Sequence, residues 1–184
     1  MWNIPNIITI SRVLLIPLIA GLFISPLVYG REIAALLFVI AAATDWVDGY
    51  LARKWDQTSP FGAFLDPVAD KLIVAVTLIL LVHDYQNLFW MTIPAFVIIS
   101  REITISALRE WMASLGKRAN VAVATIGKVK TTFQMTAIAL LLFFEAGSVF
   151  AQYSFYILMI ATILTLWSMM IYLKAAWPIL KGEA

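Results

Sequence analysis

The stretch from Ala43 to Lys71, ATDWVDGYLARKWDQTSPFGAFLDPVADK, carries two spaced pairs of aspartates. On helices, Asp45 and Asp48 (i, i+3) share one face, and Asp66 and Asp70 (i, i+4) share another. Four carboxylates brought together repel one another and take up protons unless a cation joins them. The chain has no cysteine, and its one histidine, His83, is remote. All-oxygen ligation remains, which suits magnesium, manganese or calcium rather than zinc. Such a box holds one ion or two, and two ions clamp the attacking and leaving oxygens of a phosphoryl transfer. Gly49 follows Asp48, and Gly62 lies one turn before Asp66. A helical glycine costs about 1 kcal/mol against alanine. It either admits a phosphate or a base to the backbone or lets two helices pack closely. Arg53, five residues after Asp48, is placed to fork onto a phosphate.

These carboxylates lie in a chain built for lipid. Of its 184 residues, 62% are hydrophobic and only 13% charged, and the mean hydropathy is +0.92. Soluble domains are about 45–50% apolar and about 25% charged. The expected fold is an all-α integral membrane protein, because no dyad alternation marks a barrel and only helices and closed barrels satisfy their backbone in lipid. Length allows a single domain over residues 1–184. Six spans of suitable length are expected, near residues 7–29, 33–53, 60–82, 88–111, 121–144 and 148–173. Pro17, Pro67 and Pro94 fall inside them. The opening MWNIPNIITISR lacks the marks of a removable signal peptide, and its first residues suit a short interfacial helix. A net charge of +2 gives no argument for nucleic acid.

The lysine and arginine balance of the loops places both termini in the cytoplasm. Every ionisable group inside a span then falls at the cytoplasmic end, lining a polar cavity open to that side. Arg12, Lys117 and Lys174 taken singly read as helix ends snorkelling to the interface. Aspartate is too short for that, and it costs about 2.5–3.5 kcal/mol at a helix centre. The short link between spans two and three makes them antiparallel neighbours with their aspartate faces opposed. Arg101, Arg109 and Lys128 lie at the aspartates' depth and suit an anion. Arg101 and Arg109 are about 80° apart around a helix, so they can converge on one ligand. Alternatively Arg101 bridges to a neighbouring span and Arg109 pairs with Glu102, as helix–helix glue. Lys128 and Lys130 point opposite ways, and Lys128, sharing a side with Thr131 and Thr132, is the one expected to face the cavity.

The pattern Asp45-x2-Asp48-Gly49-x2-Ala52-Arg53-x8-Gly62-x3-Asp66-x3-Asp70 resembles, without departure, the signature of the CDP-alcohol phosphotransferase family. NIPNIITISR, FGAFLDPVADK, REITISALREW and GKVKTT resemble the bacterial branch that uses glycerol 3-phosphate. The resemblance implies transfer of the phosphatidyl group of CDP-diacylglycerol to glycerol 3-phosphate, releasing CMP. It implies a divalent metal, magnesium or manganese and two per site, on Asp45, Asp48, Asp66 and Asp70, with Asp70 also the general base. Gly49, Arg53 and Gly62 match positions around the CDP diphosphate. Asn6 and Thr9 match an opening motif on the nucleotide side, and Lys128 matches a phosphate-binding lysine. A homodimer in the bacterial cytoplasmic membrane, with a site in each protomer, is implied too. Competing readings are the same chemistry with inositol phosphate or serine as acceptor, a divalent-cation transporter, and a non-catalytic membrane protein with a structural metal.

Overall fold

The structure is a computed structural model describing residues 4–54, 60–85, 88–116 and 124–181, with the side chains of 4–5, 45–54, 63, 88–89, 124–126 and 128 outside that description. Six helices follow one another: α1 (Ile4–Ile24), α2 (Gly30–Lys54), α3 (Pro60–Asp84), α4 (Leu88–Ser114), α5 (Ala124–Phe143) and α6 (Val149–Leu180). No strand occurs among the described residues. The segments Asn6–Ile24, Trp90–Ser114 and Val149–Leu180 are long and apolar enough to cross a membrane. The other three helices coincide with the remaining expected spans. Large apolar side chains cover the outside, among them Leu14, Phe96 and Trp167, which are 66%, 69% and 64% exposed. In water such a surface would aggregate; against lipid it is at no disadvantage.

Pro17, Pro67 and Pro94 lie inside α1, α3 and α4 as expected, and α6 runs past its expected end to include Pro178. Of the segment expected to lie at the interface, residues 4–6 are the first turn of α1 itself, and residues 1–3 lie outside the described residues. Proline is tolerated in a first turn, where its missing N–H has no intrahelical partner to lose. Two glycines shape the turns. A Cβ on Gly30 would stand 2.5 Å from the carbonyl oxygen of Leu22, so α2 starts hard against α1. Gly147, with φ +92°, turns the chain into α6, where the Ser148 side chain caps by accepting from the Ala151 N–H.

The expected opposition of the aspartate faces of α2 and α3 involves side chains of α2 that lie outside the described residues. Among the described residues α2 and α3 meet, and α1 packs along both. The cause is the buried stripe of α1: Asn6, Thr9, Arg12, Ile16, Ile19 and Phe23 follow the spacing of one helical face. Its apolar half joins a core with Phe38, Leu78, Leu81, Ile98, Ile138, Leu141 and Leu158. Its polar half is carried to the aspartates of α3. At the other end of the bundle Arg31 ties three helices together. It donates to Asp84 (2.8 Å) and to the carbonyls of Leu141 (3.3 Å) and Phe144 (2.9 Å), and it lies over the Phe23 ring. Burial pushes the neighbouring Tyr85 phenol up to about 12, so it stays neutral there.

Candidate functional site

Asp66 and Asp70 stand one turn apart on α3 and line one pocket of about 280 Å³ with Lys71, Arg101, Glu102 and Arg109. Each carboxylate is held by α1. Thr9 Oγ1 donates to Asp66 Oδ1 at 2.6 Å, and Arg12 Nη1 pairs with Asp70 Oδ1 at 2.5 Å. Arg12 is 1% exposed, so its reading as a snorkelling helix end is corrected. An arginine taken into a bundle interior needs a carboxylate partner, and Asp70 supplies it. The sequence carries the signal in the Asn6-x2-Thr9-x2-Arg12 spacing, which continues the apolar stripe of α1 toward the acidic end.

Arg101 and Arg109 line the same pocket as the aspartates. Arg101 is buried and donates to Glu102 (3.1 Å) and to Ser168 Oγ of α6 (3.2 Å). Glu102 also pairs with Lys130 Nζ. Among the described residues Glu102 thus pairs with Arg101 and Lys130 rather than with Arg109. Both guanidinium carbons lie near the Tyr172 ring, 5.9 Å away for Arg101 and 5.7 Å for Arg109, within the range of cation–π attraction. The sixth helix is uncharged between Ala146 and Leu173 but brings polar groups to the site. Its Ser168 and Tyr172, four residues apart and so on one face, brace the arginines. Lys130, expected to turn away, is buried and drawn in by Glu102.

A second cavity, of about 480 Å³, adjoins the first. It shares Asp70, Lys71 and Glu102 with it and reaches Arg12, Ala41, Val74, Thr131, Thr132 and Gln134. Gly62 is buried one turn before Asp66, and Asn6 and Thr9 are buried on α1. The backbone of α2 is helical through Asp45, Asp48, Gly49 and Arg53, and that of α5 through Lys128; the side chains of these five lie outside the described residues. Among the described residues no three carboxylate, imidazole or thiol groups are close enough to hold a metal ion. The four-aspartate box therefore rests on the helix positions of Asp45 and Asp48. Asp66 and Asp70 are themselves a hard all-oxygen donor pair on one helical face, fitting magnesium or manganese.

Residues 2–167 match the family model described as CDP-alcohol phosphatidyltransferase. Curated relatives named CDP-diacylglycerol–glycerol-3-phosphate 3-phosphatidyltransferase, from Salmonella choleraesuis (strain SC-B67), Salmonella typhimurium and Escherichia coli (strain K12), are each 52% identical over 176 residues, covering 95% of this chain and 95% of the relative.

Proposed function

The chain belongs to the CDP-alcohol phosphatidyltransferase family, and on that premise we propose that it transfers the phosphatidyl group of CDP-diacylglycerol to glycerol 3-phosphate, yielding phosphatidylglycerol phosphate and CMP. One observation carries the reading: Asp66 and Asp70 line the same pocket as Arg101 and Arg109. Carboxylates to hold a cation and a base thus adjoin guanidiniums suited to a phosphorylated acceptor. The three curated relatives bear names of this reaction.

The six helices are six membrane spans, with both termini and the site on the cytoplasmic side of a bacterial inner membrane. The whole chain acts as one domain, and homodimers form. Asp70 accepts the proton of the acceptor's 1-hydroxyl. The hydroxyl oxygen forms a bond to the β-phosphorus, and the bond from that phosphorus to the oxygen of CMP breaks. Arg101 and Arg109 hold the acceptor's phosphate, with Lys128 as a third cation, and keep its hydroxyl in line. Gly49, Arg53 and Gly62 border the CDP diphosphate. Two magnesium or manganese ions on Asp45, Asp48, Asp66 and Asp70 would, when bound, neutralise that diphosphate. Thr9 fixes the rotamer of Asp66. Arg12 keeps Asp70 aimed until the acceptor arrives. The protein's contribution is chiefly positioning and preorganised charge.

The test is CMP release by the purified protein in detergent with CDP-diacylglycerol and magnesium or manganese. Glycerol 3-phosphate, inositol phosphate and serine are offered separately. Release that requires glycerol 3-phosphate and disappears in Asp70→Asn is expected. Release with another acceptor would overturn the roles of Arg101, Arg109 and Lys128, and full activity in Asp70→Asn would overturn the base.

A further inference from the structure

Gln134 is a buried polar group in the site that no step above uses. It lies on α5, one turn beyond Lys130, and is 3% exposed. Its side chain lines the larger cavity with Arg12, Asp70 and Thr131. Its amide oxygen is buried and accepts no hydrogen bond among the described residues. Buried polar groups are nearly always paired, and an unpaired one is costly to keep. A leucine would fill the same space beside Ala41, Ile73, Val74 and Met135 at no such cost. The amide is therefore kept for something that enters the cavity and donates a proton.

We infer that Gln134 accepts a hydrogen bond from the 2-hydroxyl of the acceptor and is a specificity-determining residue for a phosphorylated polyol. The inference deepens the proposed function and rests on it. The diacylglycerol part of the lipid substrate offers ester oxygens, which accept and cannot donate. The donors of the cytidine lie beyond the diphosphate, on the far side from the lipid tails. Glycerol 3-phosphate brings two hydroxyls. One gives its proton to Asp70. The other, one carbon away, needs a partner within a few ångströms of Asp70, and Gln134 shares a cavity wall with that residue. The acceptor's phosphate lies toward Arg101 and Arg109 in the smaller pocket. The two cavities meet at Asp70, Lys71 and Glu102, so one three-carbon chain crosses the seam between them. A hydroxyl both donates and accepts, so it satisfies the amide in either orientation.

The experiment compares glycerol 3-phosphate with 3-hydroxypropyl phosphate, which lacks only the 2-hydroxyl, in the wild type and in Gln134→Leu, using CDP-diacylglycerol and magnesium. In the wild type the deoxy acceptor should lose about 10- to 100-fold in kcat/KM, because it leaves the amide unpaired. In Gln134→Leu that preference should collapse to within about threefold, with the KM for CDP-diacylglycerol unchanged. The melting temperature in detergent should hold or rise, since an unpaired buried amide has been removed. Three results would overturn the inference: a wild type indifferent to the 2-hydroxyl, a variant that keeps the full preference, or a variant whose defect is a raised KM for CDP-diacylglycerol. The wild-type comparison decides alone if the variant does not fold. Absence of CMP release from the wild type with either acceptor would overturn the proposed function, and this inference with it.

Discussion

Arginines at the two ends of the bundle do opposite things. Arg31 is committed to the fold: a carboxylate and two backbone carbonyls accept from its two terminal nitrogens, and an aromatic ring covers its face. Arg101 is only half committed, since Glu102 and Ser168 hold it from behind while it lines the pocket beside Arg109 and the aspartates. Burying a charge is costly wherever it is done. At one end that cost is offset by joining helices. At the other, Glu102, Lys130 and Tyr172 keep guanidiniums poised toward a space that a ligand can occupy. The contrast separates structural from functional charge better than burial does, because Arg12, the most buried arginine among the described residues, pairs with a proposed catalytic residue.

The largest effect should come from the acidic side of that contrast. Asp66→Asn keeps an oxygen that accepts from Thr9 Oγ1, so the joint between α1 and α3 survives. What is lost is the negative charge. Turnover should fall about a thousandfold, with the melting temperature little changed. Near-normal activity in this variant would dissolve the distinction between the two ends.

Arg109→Ala sharpens the comparison on the cationic side. Arg109 is the cleaner probe, because Arg101 is also tied to Ser168 and its removal would loosen α4 from α6. Loss of a charge-assisted contact to phosphate should raise the KM for glycerol 3-phosphate about 10- to 100-fold, leaving that for CDP-diacylglycerol nearly unchanged. Steady-state kinetics with each substrate varied in turn decides it. An equal rise for both would remove Arg109 from the acceptor's site.

Much of this was legible in the residues. The six helices fall where the apolar runs place them, since such runs have the length a helix needs. Asp66, Asp70, Arg101 and Arg109 reach one pocket because i+4 spacing and a common depth left them little else. What was not legible was helix adjacency. Chain order suggests α2 against α3, but only tertiary packing shows that α1 runs along both. Arg12 was misread for the same reason, since a lone arginine near a helix end looks alike whether it meets water or a carboxylate. Ser168 and Tyr172 carry no charge to mark them. Gln134 lies in an apolar run that reads as core.

The smallest effect on chemistry should come from the other end. Arg31→Ala strips partners from Asp84 and from two carbonyls at the end of α5, and both members of the ion pair are largely shielded from solvent. The loss should be about 2 kcal/mol of stability, seen as a fall of several degrees in the melting temperature in detergent. Turnover by the folded protein should be unchanged, since Arg31 touches neither cavity that the aspartates line. Arg31→Lys should recover only part of the loss. An ammonium can meet Asp84 but cannot fork across to two carbonyls as a planar guanidinium does. If Arg31→Ala instead lowered kcat at constant stability, the two ends would be coupled through α2 and α5. The rigid joint at Arg31 would then belong to the working part of the molecule rather than to its frame.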